Sequence, residues 1–174
     1  MKLLFTVCLL MGIGWYAGAQ TIYSQSFKNI DGQTVTLSSF QHKKLLLFIA
    51  PIERSDSLRI NEIDSFQTVY GDSVQLIGIM SIEDGYTDSL LQEIKAYYTG
   101  SNIILTEGMY TRKAAATSQH ALLQWLTTRS LNKRTDDDII GTGQKFFISS
   151  NGRLQEVQGP AVPFFNIRLV ALIQ

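Results

Sequence analysis

Cysteine is nearly absent from this chain: Cys8 is the only one in 174 residues. A lone thiol forms no intramolecular disulfide and cannot supply the paired thiolates of a zinc site or a dithiol exchange motif. Histidine is almost as scarce, and two residues, His42 and His120, are too little material for a histidine-based metal site or catalytic array. Proline occurs only three times, so no proline-rich linker divides the chain. Neither sign of charge is in excess, with 15 Lys+Arg against 15 Asp+Glu. That balance lacks the basic footprint of a nucleic-acid binder. No apolar run reaches the roughly 20 residues that span a bilayer, so integral membrane association is not expected.

What is present begins with an export pattern. Met1-Lys2 is followed by an apolar run from Leu3 to Tyr16 and by Ala17-Gly18-Ala19, the charged end, apolar core and small-residue site of a secretory signal. Cleavage after Ala19 is predicted, leaving residues 20–174 as a single domain, periplasmic or extracellular if the host is bacterial. Cys8 lies inside the apolar core, too early to be a lipid-anchored first residue. Removal of the signal would leave a chain with no thiol at all.

The remaining pattern alternates strands and helices. Asn29-Ile30-Asp31-Gly32 is a turn before Thr34-Val35-Thr36-Leu37, rich in β-branched residues, which predicts a short opening hairpin. Leu45 to Ala50 is a continuous apolar run, as expected of a strand covered on both faces. Ile63, Phe66 and Tyr70 form a helical stripe over 57–70, ended by Gly71. Val74 to Ile79 predicts a second buried strand, Leu91, Ile94 and Tyr98 a second helix, and Ile103-Ile104-Leu105 a weaker strand. Leu122, Trp125 and Leu126 mark another helix. Gln144 to Ser149 and Leu154 to Val157 flank the Asn151-Gly152 step of a hairpin. Pro163 is expected to open a last helix carrying Phe164, Ile167 and Val170. The order predicts an α/β fold with a mixed central sheet and helices on both faces.

Particular stretches go further. FKNIDGQTVTLSSFQHKKLLLFIA over 27–50, His120 to Leu126, and Lys145-Phe146-Phe147-Ile148 through Asn151-Gly152 resemble the glutathione peroxidase family of the thioredoxin-like superfamily, and Pro160 and Pro163 sit where that family often carries prolines. Residues 86–116 match poorly. The resemblance implies a thioredoxin-like fold and a nucleophilic Cys or selenocysteine at the first strand-to-helix junction. Arg54 stands there instead. It also implies a Gln after the second strand and a Trp-Asn pair before the Lys-Phe strand, where this chain has Glu83, Gly141 and Thr142. Neither Arg nor Glu can replace a thiolate in attack on peroxide. The expectation is a non-catalytic binding or structural module, with an unidentified protein or a small anion as partner and no cofactor. Two alternatives stay open: a peroxidase or redoxin by descent, acting through other residues, and a small-anion site at Arg54 beside a helix N-terminus. The plainer reading of Arg54, a surface cation paired with Glu53, Asp56 or Glu83, is preferred.

Other candidates read as structure. Asp136-Asp137-Asp138 lacks calcium-loop spacing and is expected to be a solvated loop. Gly141-x-Gly143 precedes a strand rather than opening a helix, which excludes a phosphate loop. Ser149 and Ser150 are assigned to a turn.

Overall fold

The apolar run Leu45 to Ile49 must be covered on both faces, and it forms the strand around which this protein is built. The computed structural model describes residues 21–174, apart from the side chains of Arg54, Ser57 and Leu58. Cys8 and the predicted cleavage after Ala19 lie outside the described residues. The chain opens with an antiparallel hairpin, β1 (Ser26–Lys28) and β2 (Thr34–Thr36). It continues through β3 (Lys44–Ile49), α1 (Ser57–Tyr70), β4 (Val74–Ser81), α2 (Leu91–Tyr97) and β5 (Ile104–Met109). Two short helices follow, α3 (Ala121–Thr127) and α4 (Arg129–Asn132), then β6 (Lys145–Ile148), β7 (Leu154–Gln158) and α5 (Ile167–Ile173).

The five longer strands form one sheet in the order β5-β4-β3-β6-β7. β3, β4 and β5 are parallel, whereas β6 and β7 run antiparallel to their neighbours. Alternate residues of β3 serve opposite faces, as the period of two requires. Leu45, Leu47 and Ile49 pack with Leu122, Trp125 and Leu126 of α3. Leu46 and Phe48 pack with Ile63 and Phe66 of α1, Ile94 of α2 and Leu169 of α5. All five β3 side chains from Leu45 to Ile49 are fully buried, and each of that size stabilises the fold by about 1.5–3 kcal/mol relative to exposure.

Two expectations are corrected. β5 extends to Met109, well beyond the predicted Leu105. Its second half hides a polar and a glycine residue for specific reasons. Thr106 is buried, and its Oγ1 accepts from the Met80 N–H at 3.0 Å where the β4–β5 register shifts. A Cβ at Gly108 would lie 2.3 Å from the Tyr86 ring. The last helix starts at Ile167, not at Pro163: the Asn166 side chain caps it by accepting from the Arg168 N–H at 3.0 Å. Its buried residues are Leu169 and Ile173, while Ile167 is 80% exposed. Phe164 is buried ahead of the helix, edge-on to Phe48 and Phe66.

Candidate functional site

Three connections converge where the parallel strands end: the segment after β3, the turn after β4 and the segment entering β6. The structure brings Glu83, Gly141 and Thr142 into this region. Gly85 faces Ile52 (3.5 Å to Cδ1 from a Cβ placed on the glycine), and a Cβ on Gly141 would sit 3.4 Å from Asp84 Oδ1. Arg59 of α1 donates from its guanidinium to the Thr142 carbonyl at 2.6 Å. Arg54 lies in a single 3-10 turn just ahead of α1, and its side chain is outside those described.

Glu83 is wholly engaged. Its carboxylate accepts from the Thr111 N–H at 3.0 and 2.9 Å, from the Arg112 N–H at 3.0 Å and from the Thr111 hydroxyl at 3.1 Å. Desolvation raises its pKa and is the largest single influence. The hydrogen bonds from the Arg112, Thr111 and Glu83 backbone and from the Thr111 hydroxyl together outweigh it, and the net result is a carboxyl held below its ordinary value. Beside it, Asp84 pairs with Arg112 at 2.6 Å. Gly141 (φ 147°) has no side chain to offer, and the Thr142 carbonyl is taken by Arg59. The junction is therefore knitted together by carboxylates and guanidiniums that bind protein backbone or one another. None of these groups is a nucleophile for peroxide.

Lys145, the first residue of β6, adds a buried cation to this region. It is 2% exposed, its Nζ donates to the Gly143 carbonyl at 2.6 Å, and it lies 4.6 Å from the centre of the Phe164 ring. Burial lowers its pKa to about 8; Glu62 pulls the other way and Arg59 reinforces the lowering. Glu62 also accepts from the Phe164 N–H at 2.7 Å. Asp84, Arg112, Arg59 and Lys145 were not singled out from sequence. A lysine heading the apolar run Phe146-Phe147-Ile148 was the one available signal.

The other candidates fall into structural roles. His120 caps α3, its Nδ1 accepting from the Leu122 N–H at 3.2 Å, and burial lowers its pKa. His42 lies in a turn at φ 69°. The three aspartates fasten their loop to its surroundings: Asp136 accepts from the Arg129 N–H at the start of α4 at 2.7 Å, Asp138 from the Lys113 N–H of an earlier segment at 2.9 Å, and Asp137 from the Thr135 hydroxyl within the loop at 2.6 Å. No group of three or more potential metal ligands occurs among the described residues.

Strand order and the helices covering both faces of the sheet are those of a thioredoxin-like α/β fold. No protein-family model and no curated protein matches the chain. Among solved structures, Trgpx in apo form is similar with a TM-score of 0.68 at 12% identity, covering 90% of this chain and 97% of its own. T. cruzi GPX1 gives 0.65 at 13% identity, over 88% of this chain and 97% of its own. A thiol:disulfide interchange protein of the thioredoxin family from Chlorobium tepidum TLS gives 0.56 at 18%, over 91% and 99%. The neighbours are thus glutathione peroxidases and thioredoxin-like thiol-disulfide oxidoreductases, and the likeness at these identities is one of fold. No helix among the described residues is long and apolar enough to cross a membrane.

Proposed function

We propose that this chain is an exported binding or structural module on a thioredoxin-like fold, without thiol peroxidase activity. The observation that carries the reading is the state of Glu83. At the position where the resembled family places a polarising Gln, both carboxylate oxygens are spent on the Thr111 and Arg112 N–H groups. Gly141 and Thr142 replace the accompanying Trp-Asn pair, and the only cysteine is Cys8. A thiolate placed at the junction would also meet an ionised Glu83 in that region, and like charge disfavours thiolate formation.

Restoring the nucleophile tests this. Arg54→Cys is expected to give a thiol that alkylates in the folded protein but consumes peroxide at the rate of a free thiol, because one of four catalytic identities has been supplied. Efficient turnover would overturn the reading. Stopped-flow peroxide consumption and iodoacetamide labelling give the two readouts, with Cys8→Ser in the background. The export part is checked separately by intact mass, with loss of residues 1–19 expected in secreted material and retention of Met1 contradicting it.

A second reading, a peroxidase by descent, is favoured by the likeness to peroxidase structures. It requires enzyme-dependent peroxide turnover through residues other than Arg54, Glu83, Gly141 and Thr142.

A further inference from the structure

At the opposite end of the sheet from the junction lies a cavity of about 560 Å³ between the end of α4 and the β6–β7 turn. Three cations line it, Lys133, Arg134 and Arg153, and no carboxylate does. Trp125, Leu131 and Leu154 supply its apolar wall. In a chain with equal numbers of acidic and basic residues, three cations in one concavity are a local concentration of charge. A cleft lined by one sign focuses the field on a small ion of the other sign. Arg134 has one carboxylate partner, Glu156 at 3.3 Å; Lys133 and Arg153 have no carboxylate within 4 Å among the described residues, and the Lys133 Nζ donates to the Ser130 carbonyl at 2.7 Å, a bond that an arriving oxyanion has to replace or share.

The backbone that carries these cations is held with unusual thoroughness. The Asn132 amide donates to the Trp125, Leu126 and Thr135 carbonyls at 2.9, 2.9 and 3.1 Å, and its oxygen accepts from the Arg134 and Thr135 N–H groups at 2.7 and 3.0 Å. Lys133 is thereby kept left-handed at φ 62°, a conformation that a non-glycine residue adopts only where its surroundings hold it there. Across the cavity, the Ser149 N–H donates to the Arg153 carbonyl at 3.0 Å and the Gly152 N–H to the Ser149 carbonyl at 2.9 Å. The Ile22 N–H then ties the turn to the start of the described chain through the Gly152 carbonyl at 3.2 Å. Backbone fixed in this way sets where the three charged side chains are rooted around the cavity before any ligand arrives, so that only the side chains themselves have to be ordered on binding.

We propose that this cavity is a binding site for a small soluble organic anion, a carboxylate or phosphate attached to a ring-sized apolar group. The oxyanion sits among Lys133, Arg134 and Arg153, and the apolar part lies against Trp125, Leu131 and Leu154. Charge-assisted bonds from guanidinium to oxyanion supply specificity for the head group. The site is independent of the vacated junction, so it stands whether or not the chain turns over peroxide.

The test uses the full chain as purified, with its N-terminus read by intact mass. Phenyl phosphate and benzoate are titrated against melting temperature and tryptophan emission, with sodium chloride at matched ionic strength as control and inorganic phosphate as the head group alone. A saturable 1:1 response to phenyl phosphate or benzoate is expected, at least threefold tighter than to inorganic phosphate. Lys133→Gln and Arg153→Gln should each weaken it at least threefold, and the double variant should abolish it while melting within a few degrees of the parent in plain buffer. A response matched by sodium chloride, one unchanged in the double variant, or none at all because residues ahead of Thr21 fill the cavity would each overturn the assignment.

Discussion

Unfolding free energy is expected to rise by about 3 kcal/mol between pH 8 and pH 10.5 through a single side chain, Lys145. Its ammonium is buried against Phe164, with one backbone carbonyl accepting from it, and its pKa falls from 10.5 to about 8. Between those values the unfolded chain holds the proton and the folded one does not. Stability therefore increases with pH across that window, and below pH 8 the fold bears the cost of a buried charge. Lys145→Met keeps the length and apolar bulk of the side chain and removes the titration, so its alkaline rise should be smaller by that amount. Urea unfolding of both proteins at pH 7.5 and pH 10 checks it, because titrations of the other lysines and tyrosines cancel in the difference. Parallel pH profiles would contradict the placement of this lysine.

Glu83→Ala should lower stability by about 1–3 kcal/mol, the cost of leaving the hydrogen-bond donors at the end of β5 without their charged acceptor. The acid limb distinguishes this from simple loss of packing. Because the folded pKa of Glu83 is depressed, its contribution is complete above the ordinary glutamate value of 4.5 and drains away as pH falls through the lower folded value. Glu83→Gln should be less stable than the parent at pH 7, with the gap narrowing as the pH falls below 4.5. Chemical denaturation along that acid limb measures the narrowing. A constant gap between parent and variant would mean that the carboxylate does not hold Thr111 and Arg112.

The large buried features were legible in the residues, and the reasons are local. Leu45 to Ala50 has no polar position, and only a strand covered on both sides accommodates that. Asn151-Gly152 announced its hairpin through the left-handed conformation that Gly152 adopts at φ 77°. Legibility failed where an individual contact overrides composition. The continuation of β5 through Thr106-Glu107-Gly108 depends on a side-chain acceptor for one irregular β4 N–H and on a close approach by Tyr86, and neither has a periodicity. Phe164 looked like part of a helical stripe, yet it packs into the core from the preceding turn while Asn166 starts the helix. At the junction, the resemblance to glutathione peroxidases placed Glu83, Gly141 and Thr142 where that family carries Gln, Trp and Asn. What those replacements do was not legible, because Glu83 acts on Thr111 and Arg112, nearly thirty residues away in the stretch of poorest resemblance.

The central claim is the absence of thiol peroxidase chemistry, and one measurement addresses it directly. Purified, metal-free protein, with Cys8→Ser as a control for retained leader, is mixed with hydrogen peroxide or an organic hydroperoxide and a thiol reductant. Peroxide loss is then followed against buffer. The account predicts a rate equal to that of buffer and reductant alone at every protein concentration. A rate that scales with protein concentration and persists in the Cys8→Ser variant would contradict it.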